Sequence, residues 1–524
     1  MGRWRHRPHK FTVVKKMTDF RRPLGDYVQL LLRHDLLADK GPVHADLTAP
    51  VALVSCDSQV VIPHTLFVCK GAKFKEDYLR QAMDSGAFVY VSEKAYPNIP
   101  LPCLHVTDIR QAMGLLADFA YGHPSGKLTI TGLTGTKGKT TTAYYIKSIV
   151  DTWLASRGHR ESALLSTIVT DDGLERKTAK LTTPEPLDLQ RHLSNAVTAG
   201  ADYLTMEVSS QALKYGRVIG VDLNCAVFLN IGEDHISPVE HPDLEDYLQS
   251  KLLIFKQAET ACISMDCDHA AEVAAAAAQC KRVLTFSQKH PEADVYGTDV
   301  RKEGNQIAFH VRTPRYEGEL AISTPGLFNV ENALAAVTVA EAYGIPYESV
   351  QEGLAKAFVP GRMEHYTSAD GQISVIVDYS HNGMSLRNAL RSVRTEYPDR
   401  QLTVLFGCTG GKGIDRREGM GNAAGEFAHR IILTEDDPGP EEVEDICADI
   451  GVFLKKWNKD YTVIPNREQA VETAILEAPR PAVVLLAGKG CEVYQKRKNG
   501  PEPCIPDGVL AQHALEKYDR KQSQ

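Results

Sequence analysis

The chain has 524 residues, of which 43% are hydrophobic and 24% charged, and its formal net charge is -8. This length exceeds the size at which one hydrophobic core stops growing, so we expect about three domains. The composition is that of an ordinary globular protein, and its negative charge provides no overall basic field, so we expect no nucleic-acid partner.

Residues 1–40 are predicted to form a basic tail and a leader helix. Arginine and lysine are frequent up to Arg22, but no apolar signal segment follows them, and no run approaches the roughly 18 residues of a membrane span. The 11 cysteines lack a Cys-x-x-Cys pair, which favours reduced thiols over disulfides or zinc. We therefore expect a cytoplasmic protein without a membrane partner.

Three domains are predicted to follow this tail. Residues 41–125 carry short apolar runs between polar turns, which indicates a small mixed α/β domain ending in a glycine- and proline-containing linker. In residues 126–357 strand-like runs alternate with helical patterns, as in a P-loop ATPase-type parallel sheet covered on both faces. Residues 358–524 contain four more strand candidates, at 373–377, 402–406, 430–433 and 482–486, and are predicted to form a Rossmann-like domain. The predicted fold class is therefore α/β.

The central domain begins with a strand, a glycine-rich phosphate loop and a helix start. Gly135 and Gly138 allow backbone N–H groups to approach phosphate oxygens, while Lys139 and Thr140 supply a counter-charge and a hydroxyl ligand for Mg²⁺. A strict Walker loop has glycine five residues before Gly138, where this chain has Leu133, so ordinary kinases and GTPases fit less well. The segment predicts a nucleoside triphosphate site.

Polar clusters follow six of the predicted strands. Ligands of open α/β sheets bind outside the carboxyl ends of the strands, so these clusters predict two sheet edges that face ligands. The clusters are residues 205–210, 230–235, 378–381, 407–412, 434–438 and 487–492.

Two of these clusters contain candidate metal ligands. Glu207 and His235 could hold a second divalent cation apart from one at Thr140, and two cations would screen a phosphate that approaches a carboxylate. The residues themselves fit a helix cap at Glu207 and a hydrogen-bonded loop histidine at His235 equally well. Both interpretations stay open at this point.

The conjunction of seven motifs resembles the Mur ligase family, and within it the enzymes that add the third peptide residue. The resemblance covers roughly residues 50–510 and implies an ATP-dependent ligase of peptidoglycan synthesis. ATP would phosphorylate a glutamate carboxylate of UDP-N-acetylmuramoyl-L-alanyl-D-glutamate, and an amino acid amine would attack the acyl phosphate. The motifs are residues 134–141, 207–210, 230–235, 326–336, 360–364, 378–381 and 487–490.

The resemblance also implies catalytic roles. Lys139 would bind phosphate, Thr140 and Glu207 would hold one Mg²⁺ ion, and His235 would help to hold another. Lys251 matches the lysine that this family carries as N6-carboxylysine, a carbamate anion that can meet a metal. Without the resemblance, Lys251 would be an ordinary lysine on a helix surface.

Substrate contacts carry over in the same way. The residues implied for ATP are Gly135, Thr136, Lys137, Gly138, Lys139, Thr140, Thr141, Asn329, Arg362 and Asp378. Those implied for the UDP-muramoyl dipeptide are Ser58, Thr182, Thr183, Ser209, Tyr215 and Arg217. The chain departs from the family at the uridine site, where Gln59 replaces the arginine of an Asp-Ser-Arg motif.

The identity of the incoming amino acid depends on one short motif. Relatives that add meso-diaminopimelate typically carry Asp-Asn-Pro-Arg, whose arginine pairs with the distal carboxylate, but this chain has Gly439 at that position. The neighbouring carboxylates favour L-lysine or another basic amino acid such as L-ornithine, with diaminopimelate as the alternative. The residues implied for the amino acid are Arg417, Asp436, Asp437, Gly488 and Glu492.

Two other functions stay open. A folylpolyglutamate synthetase would share the central loop but would lack the N-terminal domain. A paralogue that binds nucleotide without catalysis is suggested by Gln59, Asn382 and Gly439, whereas Lys139 and Lys251 argue against it. We expect a monomer with small-molecule substrates.

Overall fold

The computed structural model describes residues 21–38, 45–71, 73–233, 236–237, 240–304, 306–411 and 413–523. The chain divides into two compact units. The first contains the described residues up to Asp294 together with Thr338–Ile345, and the second contains Val295–Val337 and the residues from Pro346 onward. No helix in the described part of the chain is long and apolar enough to cross a membrane.

The first unit begins with a small parallel sheet. All four residues of its second strand are buried, as expected for a strand covered on both faces. The strands are β1 (Arg22–Pro23) and β2 (Pro50–Val51), which form an antiparallel pair, and β3 (Leu53–Ser55), β4 (Thr65–Val68), β5 (Ala87–Ser92) and β6 (Cys103–His105), which form the sheet in that order. The helices are α1 (Leu24–Arg33), α2 (Glu76–Asp84) and α3 (Ile109–Tyr121).

The larger sheet of this unit carries the phosphate loop. Its strands are β7 (Thr129–Thr134), β8 (Ala163–Leu165), β9 (Val169–Asp171), β10 (Arg176–Thr178), β11 (Tyr203–Glu207), β12 (Leu223–Phe228), β13 (Ala258–Ser264) and β14 (Arg282–Ser287). The order is β10-β9-β8-β11-β7-β12-β13-β14, and the strands from β8 to β14 in this order are parallel. Its helices are α4 (Lys139–Ser156), α5 (Pro186–Ala199), α6 (Ser210–Lys214), α7 (Leu244–Leu252) and α8 (Ala270–Ala277), with 3-10 turns at Pro124–Lys127 and Leu253–Gln257.

The second unit begins with three strands that pair antiparallel in chain order. They are β15 (Val295–Glu303), β16 (Gln306–Arg312) and β17 (Glu317–Ile322). The main sheet has the order β18-β19-β23-β20-β21-β22, with β18 antiparallel, and consists of β18 (Glu364–Thr367), β19 (Ile373–Asp378), β20 (Gln401–Phe406), β21 (Arg430–Leu433), β22 (Thr462–Val463) and β23 (Ala482–Ala487). The strands β24 (Tyr494–Arg497) and β25 (Gly500–Pro503) form a hairpin.

The helices that follow are α9 (Asn329–Tyr343), which contributes residues to both units, α10 (Tyr347–Lys356), α11 (Gly383–Glu396), α12 (Asp415–Phe427), α13 (Val443–Lys455), α14 (Arg467–Leu476) and α15 (Asp507–Gln522). The predicted α/β class with parallel sheets and several domains is confirmed. The three domain ranges stay predictions.

Candidate functional site

The phosphate loop joins β7 to α4 and is held in shape by a neighbouring strand end. Asn230, which follows β12, accepts a hydrogen bond from the backbone N–H of Lys137 at 2.9 Å, and its backbone carbonyl accepts one from Thr136 at 3.0 Å. Gly138 begins the helix at a φ of +85°, a conformation that favours glycine. The backbone at the start of α4 is thereby arranged to meet an anion.

Two lysine side chains converge on a single carbonyl of this loop. Lys139 Nζ donates to the carbonyl oxygens of Gly135 at 2.7 Å and Thr136 at 3.2 Å. Lys251, only 1% exposed, donates from Nζ to the same Gly135 carbonyl at 2.9 Å and lies 4.3 Å from the centre of the Tyr247 ring. Lys251 is therefore a buried neighbour of the phosphate loop and not a lysine on the helix surface.

Glu207 ends β11 beside the strand that leads into the loop, in register with Leu133. Its carboxylate is buried and accepts hydrogen bonds from the backbone N–H and the hydroxyl of Thr167, at 2.8 and 3.1 Å. The buried Thr183 hydroxyl donates to the Glu207 carbonyl at 2.9 Å and accepts from the N–H of Ser209 at 3.0 Å. The structure thus brings Glu207, Thr183 and Ser209 together.

The donor set at this edge fits Mg²⁺, which prefers oxygen ligands. Thr140 and Thr141 are buried in the first turn of α4, and the Glu207 carboxylate follows the adjacent strand. Bound Mg²⁺ would neutralise developing phosphate charge there. His235, the remaining predicted ligand, lies outside the described residues.

The other residues predicted for the dipeptide lie in the same unit. Arg217 Nε is 2.9 Å from Glu185 Oε1, and Arg217 Nη1 donates to the Thr183 carbonyl at 3.4 Å. Thr182 accepts a hydrogen bond at 3.2 Å from the Thr167 hydroxyl, which also contacts the Glu207 carboxylate, so Thr182 lies in the same group as Glu207. Two further predicted residues contact partners outside this group. Ser58 donates to Gln81 at 3.1 Å, and the Tyr215 ring is covered by Arg110 at 4.0 Å.

Three residues predicted for ATP belong to the second unit. Asn329 donates from its side chain to the Pro325 carbonyl at 2.6 Å and accepts from Asn332 at 2.9 Å. The Arg362 guanidinium lies 4.8 Å from the Tyr379 ring centre. Asp378, at the end of β19, accepts from the Met363 N–H at 3.0 Å, and burial raises its pKa although Arg362 opposes the shift.

A cavity of about 230 Å³ opens at the carboxyl ends of β19, β20, β21 and β23. It contains four of the five residues predicted for the amino acid, namely Asp436, Asp437, Gly488 and Glu492. Gly488 has a φ of +107°, and a side chain there would collide with the Asp436 carboxyl group. The remaining lining residues are Tyr379, His381, Cys408, Thr409, Arg416 and Lys496.

The three carboxyl groups of this cavity differ in their partners. Lys489, 2% exposed, donates from Nζ to Asp437 at 3.0 Å and to Glu492, and Tyr379 also donates to Glu492 at 2.9 Å. Among the described residues, no hydrogen bond to the Asp436 carboxyl group is present. Asp436 is therefore the carboxyl group left for a ligand.

Burial controls the charge of Asp436. It raises the pKa of Asp436 to about 7, against the opposing fields of Arg467 and Lys489. Burial also opposes the charge on Asp437, but the Lys496 N–H and Lys489 outweigh it, so the pKa of Asp437 is lowered. At neutral pH the cavity thus holds ionised Asp437 beside a partly protonated Asp436.

Sequence reasoning missed Arg416 and Lys489. The sequence predicted Arg417, whose guanidinium instead contacts Asp449 at 2.6 Å and Glu441 at 2.7 Å, while the preceding Arg416 lines the cavity. The Gly-Lys-Gly motif was the sequence signal for Lys489. Both flanking glycines have positive φ angles, so the backbone geometry holds the lysine between them. Which of the two adjacent arginines faces the cavity depends on how α12 is rotated about its axis, and the sequence does not indicate that rotation.

Comparison with known families gives two matches. The Mur ligase middle domain matches residues 133–340, and the Mur ligase glutamate ligase domain matches residues 361–490.

Similar whole proteins agree with these matches. The UDP-N-acetylmuramoyl-L-alanyl-D-glutamate--L-lysine ligase of Enterococcus faecalis is 40% identical over 474 residues, which cover 89% of this chain and 92% of that one. The UDP-N-acetylmuramyl-tripeptide synthetase of Lactococcus lactis is 39% identical over 468 residues, covering 88% and 92%. A solved UDP-N-acetylmuramoyl-L-alanyl-D-glutamate--2,6-diaminopimelate ligase superposes with a TM-score of 0.66 at 26% identity, covering 95% of this chain and 99% of that one.

Proposed function

This chain belongs to the Mur ligase family of ATP-dependent, peptide-bond-forming ligases, and we propose that it joins L-lysine to UDP-N-acetylmuramoyl-L-alanyl-D-glutamate. The reaction is a step of peptidoglycan synthesis, as the lysine-ligase and tripeptide-synthetase relatives indicate. We further propose that residues 41–125 bind the uridine nucleotide, and that the protein acts as a cytoplasmic monomer.

The phosphate loop and the adjacent strand end support the first step. The γ-phosphoryl group of ATP would pass to a carboxylate of the D-glutamyl residue, giving an acyl phosphate and ADP. Both reactants are anions, so the step requires fixed positive charge and positioning. The amides of residues 135–138 and the Lys139 ammonium would supply that charge, with Mg²⁺ held by Thr140, Glu207 and carboxylated Lys251.

The loop lysine would exchange partners when ATP binds. Its ammonium group is engaged by the carbonyls of Gly135 and Thr136, so a phosphate oxygen would replace neutral acceptors with a charged one. A charge-assisted hydrogen bond is the stronger of the two, which favours the exchange. The Lys139 ammonium would then remain paired with the negatively charged γ-phosphoryl group during its transfer.

The acidic cavity of the second unit supports lysine as the third substrate, and the unpartnered Asp436 carboxyl group is the observation that carries this choice. A distal ammonium would pair with Asp436, whose burial strengthens the attraction. A distal carboxylate would meet Asp437 and Glu492 without the arginine that diaminopimelate-adding relatives supply at position 439. The α-amine, once deprotonated, would attack the acyl phosphate, forming the amide and releasing phosphate.

The test is phosphate release by the full-length protein with ATP and UDP-N-acetylmuramoyl-L-alanyl-D-glutamate, with the third substrate varied. We expect turnover with L-lysine and at least about a hundredfold lower kcat/KM with meso-diaminopimelate, because that substrate buries an unpaired carboxylate. Turnover with diaminopimelate alone would reverse the specificity. Absence of turnover with every amino acid would overturn the ligase proposal and favour a non-catalytic paralogue.

A further inference from the structure

One carboxylate of the first unit is shared by two cations from distant parts of the chain. Lys70 Nζ forms an ion pair with Oε2 of Glu185, and Arg217 Nε lies 2.9 Å from Oε1. Lys70 lies just after β4 of the small sheet, whereas Arg217 lies just after α6 of the larger sheet. The three side chains are only 16 to 29% exposed, so solvent screens their interaction weakly.

This group of three, the Lys70–Glu185–Arg217 cluster, adjoins the proposed reaction edge. Arg217 also donates to the Thr183 carbonyl, and the Thr183 hydroxyl donates to the Glu207 carbonyl. Only Pro184 separates Thr183 from Glu185 along the chain. A ligand group that replaced the Glu185 carboxylate would therefore lie near the peptide end of the substrate, and not near its uridine end.

The Glu185 carboxylate performs no capping role that would explain its position. Glu185 is the N-cap residue of α5, yet its side chain makes no capping hydrogen bond and turns to the two cations instead. The N-terminus of a helix stabilises a carboxylate, so the side chain has an alternative place if it leaves the cluster. The cluster itself carries two positive charges and one negative charge, which leaves it suited to an anion.

These contacts lead to one inference, which rests on the function proposed above. We propose that Lys70 and Arg217 form a clamp for the D-glutamyl carboxylate that is not phosphorylated, and that Glu185 occupies this clamp until the substrate displaces it. Lys70 is then a substrate-binding residue, and Glu185 is an internal competitor. Holding the unreactive carboxylate orients the reactive one toward the phosphate loop.

Binding of the substrate to the full-length protein, measured by titration calorimetry without ATP, tests the clamp. The ligands are UDP-N-acetylmuramoyl-L-alanyl-D-glutamate, its analogue with an amide at the unreactive carboxylate, and UDP. We expect Lys70→Met to weaken binding of the full substrate about tenfold, and to leave binding of UDP and of the amide analogue unchanged. Lys75→Met, which removes an exposed lysine five residues away, is the matched control and should bind like the parent.

The competitor role makes an opposite prediction for the third member of the cluster. Glu185→Gln should tighten binding of the full substrate several-fold, because the amide competes weakly for two cations. Weaker or unchanged binding by this variant would overturn the competitor role and make Glu185 an anchor for Arg217.

Equal loss of UDP and substrate binding in Lys70→Met would overturn the carboxylate clamp and place Lys70 at the pyrophosphate. A parent protein that binds and turns over the substrate while Lys70→Met behaves identically would overturn the clamp alone. A parent protein that does not bind the substrate would overturn both the clamp and the proposed function.

Discussion

Lys251 and Gly135 are 116 residues apart in the chain, yet the Lys251 ammonium donates a 2.9 Å hydrogen bond to the Gly135 carbonyl inside the phosphate loop. The unmodified lysine is thus a buried hydrogen-bond donor to the loop. Carboxylation would convert it into an anion, so the side chain would leave the carbonyl oxygen and face a metal ion instead.

Replacing Lys251 tests that role. We expect Lys251→Ala to lower kcat on the order of a thousandfold, because the proposed metal ligand is lost. Formate or acetate should restore part of the activity, measured as phosphate release. Lys256→Ala, which removes an exposed lysine in the same segment, should be fully active. Full activity of Lys251→Ala would contradict the carbamate.

The pH dependence of amino acid binding should report Asp436. Because the pKa of Asp436 is raised to about 7, protonation below neutral pH removes the charge that attracts a distal ammonium. We expect kcat/KM for L-lysine to fall with decreasing pH by up to about tenfold per unit below that pKa. Asp436→Asn should have a low kcat/KM and lack this acidic limb. If the acidic limb of the pH profile were unchanged in Asp436→Asn, it would result from the titration of another group.

The raised pKa of Asp436 also affects folding stability. Its contribution to stability decreases as the pH rises, whereas the expected kcat/KM for L-lysine increases. A carboxyl group whose pKa is raised in the folded state favours folding when protonated, and this contribution is lost as the pH rises from the usual range of aspartate toward 7. Asp436→Asn should therefore raise the unfolding midpoint at pH 8 relative to the parent and leave it nearly unchanged at pH 4. Calorimetric scans at both pH values measure this difference. A larger gain at pH 4 would contradict the raised pKa.

Restoring the missing arginine should shift amino acid specificity at a cost in stability. Gly439 has a φ of +59°, so any side chain there adds about 1–2 kcal/mol of strain. We expect Gly439→Arg to raise the ratio of kcat/KM for meso-diaminopimelate over L-lysine, measured by phosphate release. Gly439→Ala carries the same strain without a guanidinium and should leave the ratio unchanged. A shift in both variants would show that backbone strain, and not the arginine, alters specificity.

Arg416 should contribute to binding of the amino acid. It lines the acidic cavity, whereas the guanidinium of Arg417 is held by Asp449 and Glu441. Arg416→Ala should raise the KM for L-lysine about tenfold and leave the KM for ATP unchanged, because the cavity loses a cation that would pair with the α-carboxylate of a bound amino acid. Arg520→Ala, at an exposed position of α15, serves as the control. An unchanged KM in Arg416→Ala would leave Arg417 as the better candidate.

Much of the fold was predictable because it depends on local pattern. The strand candidates 373–377, 402–406, 430–433 and 482–486 differ by at most one residue at either end from the observed β19, β20, β21 and β23. Continuous apolar runs bounded by polar clusters produce that agreement. The phosphate loop was predictable for the same reason, since its glycines, lysine and threonine are contiguous.

The rest of the site depends on contacts between distant segments. The Lys70–Glu185 pair spans 115 residues, and neither residue carries a local pattern that indicates the other. Arg416 lines the cavity and Arg417 does not, because neighbours on a helix point about 100° apart, and the sequence pattern could not resolve this since both neighbours are arginine. Such contacts become visible only when the chain is folded.

The Asn230 contacts with residues 136 and 137 have a kinetic consequence. Because hydrogen bonds to Asn230 hold the backbone of residues 136 and 137, ATP should meet a loop that is already ordered. Little ordering entropy is then spent on the loop when the nucleotide arrives. The association rate of ATP should accordingly be governed by diffusion and electrostatic steering, and amide exchange in the loop should change little between the free and nucleotide-bound protein.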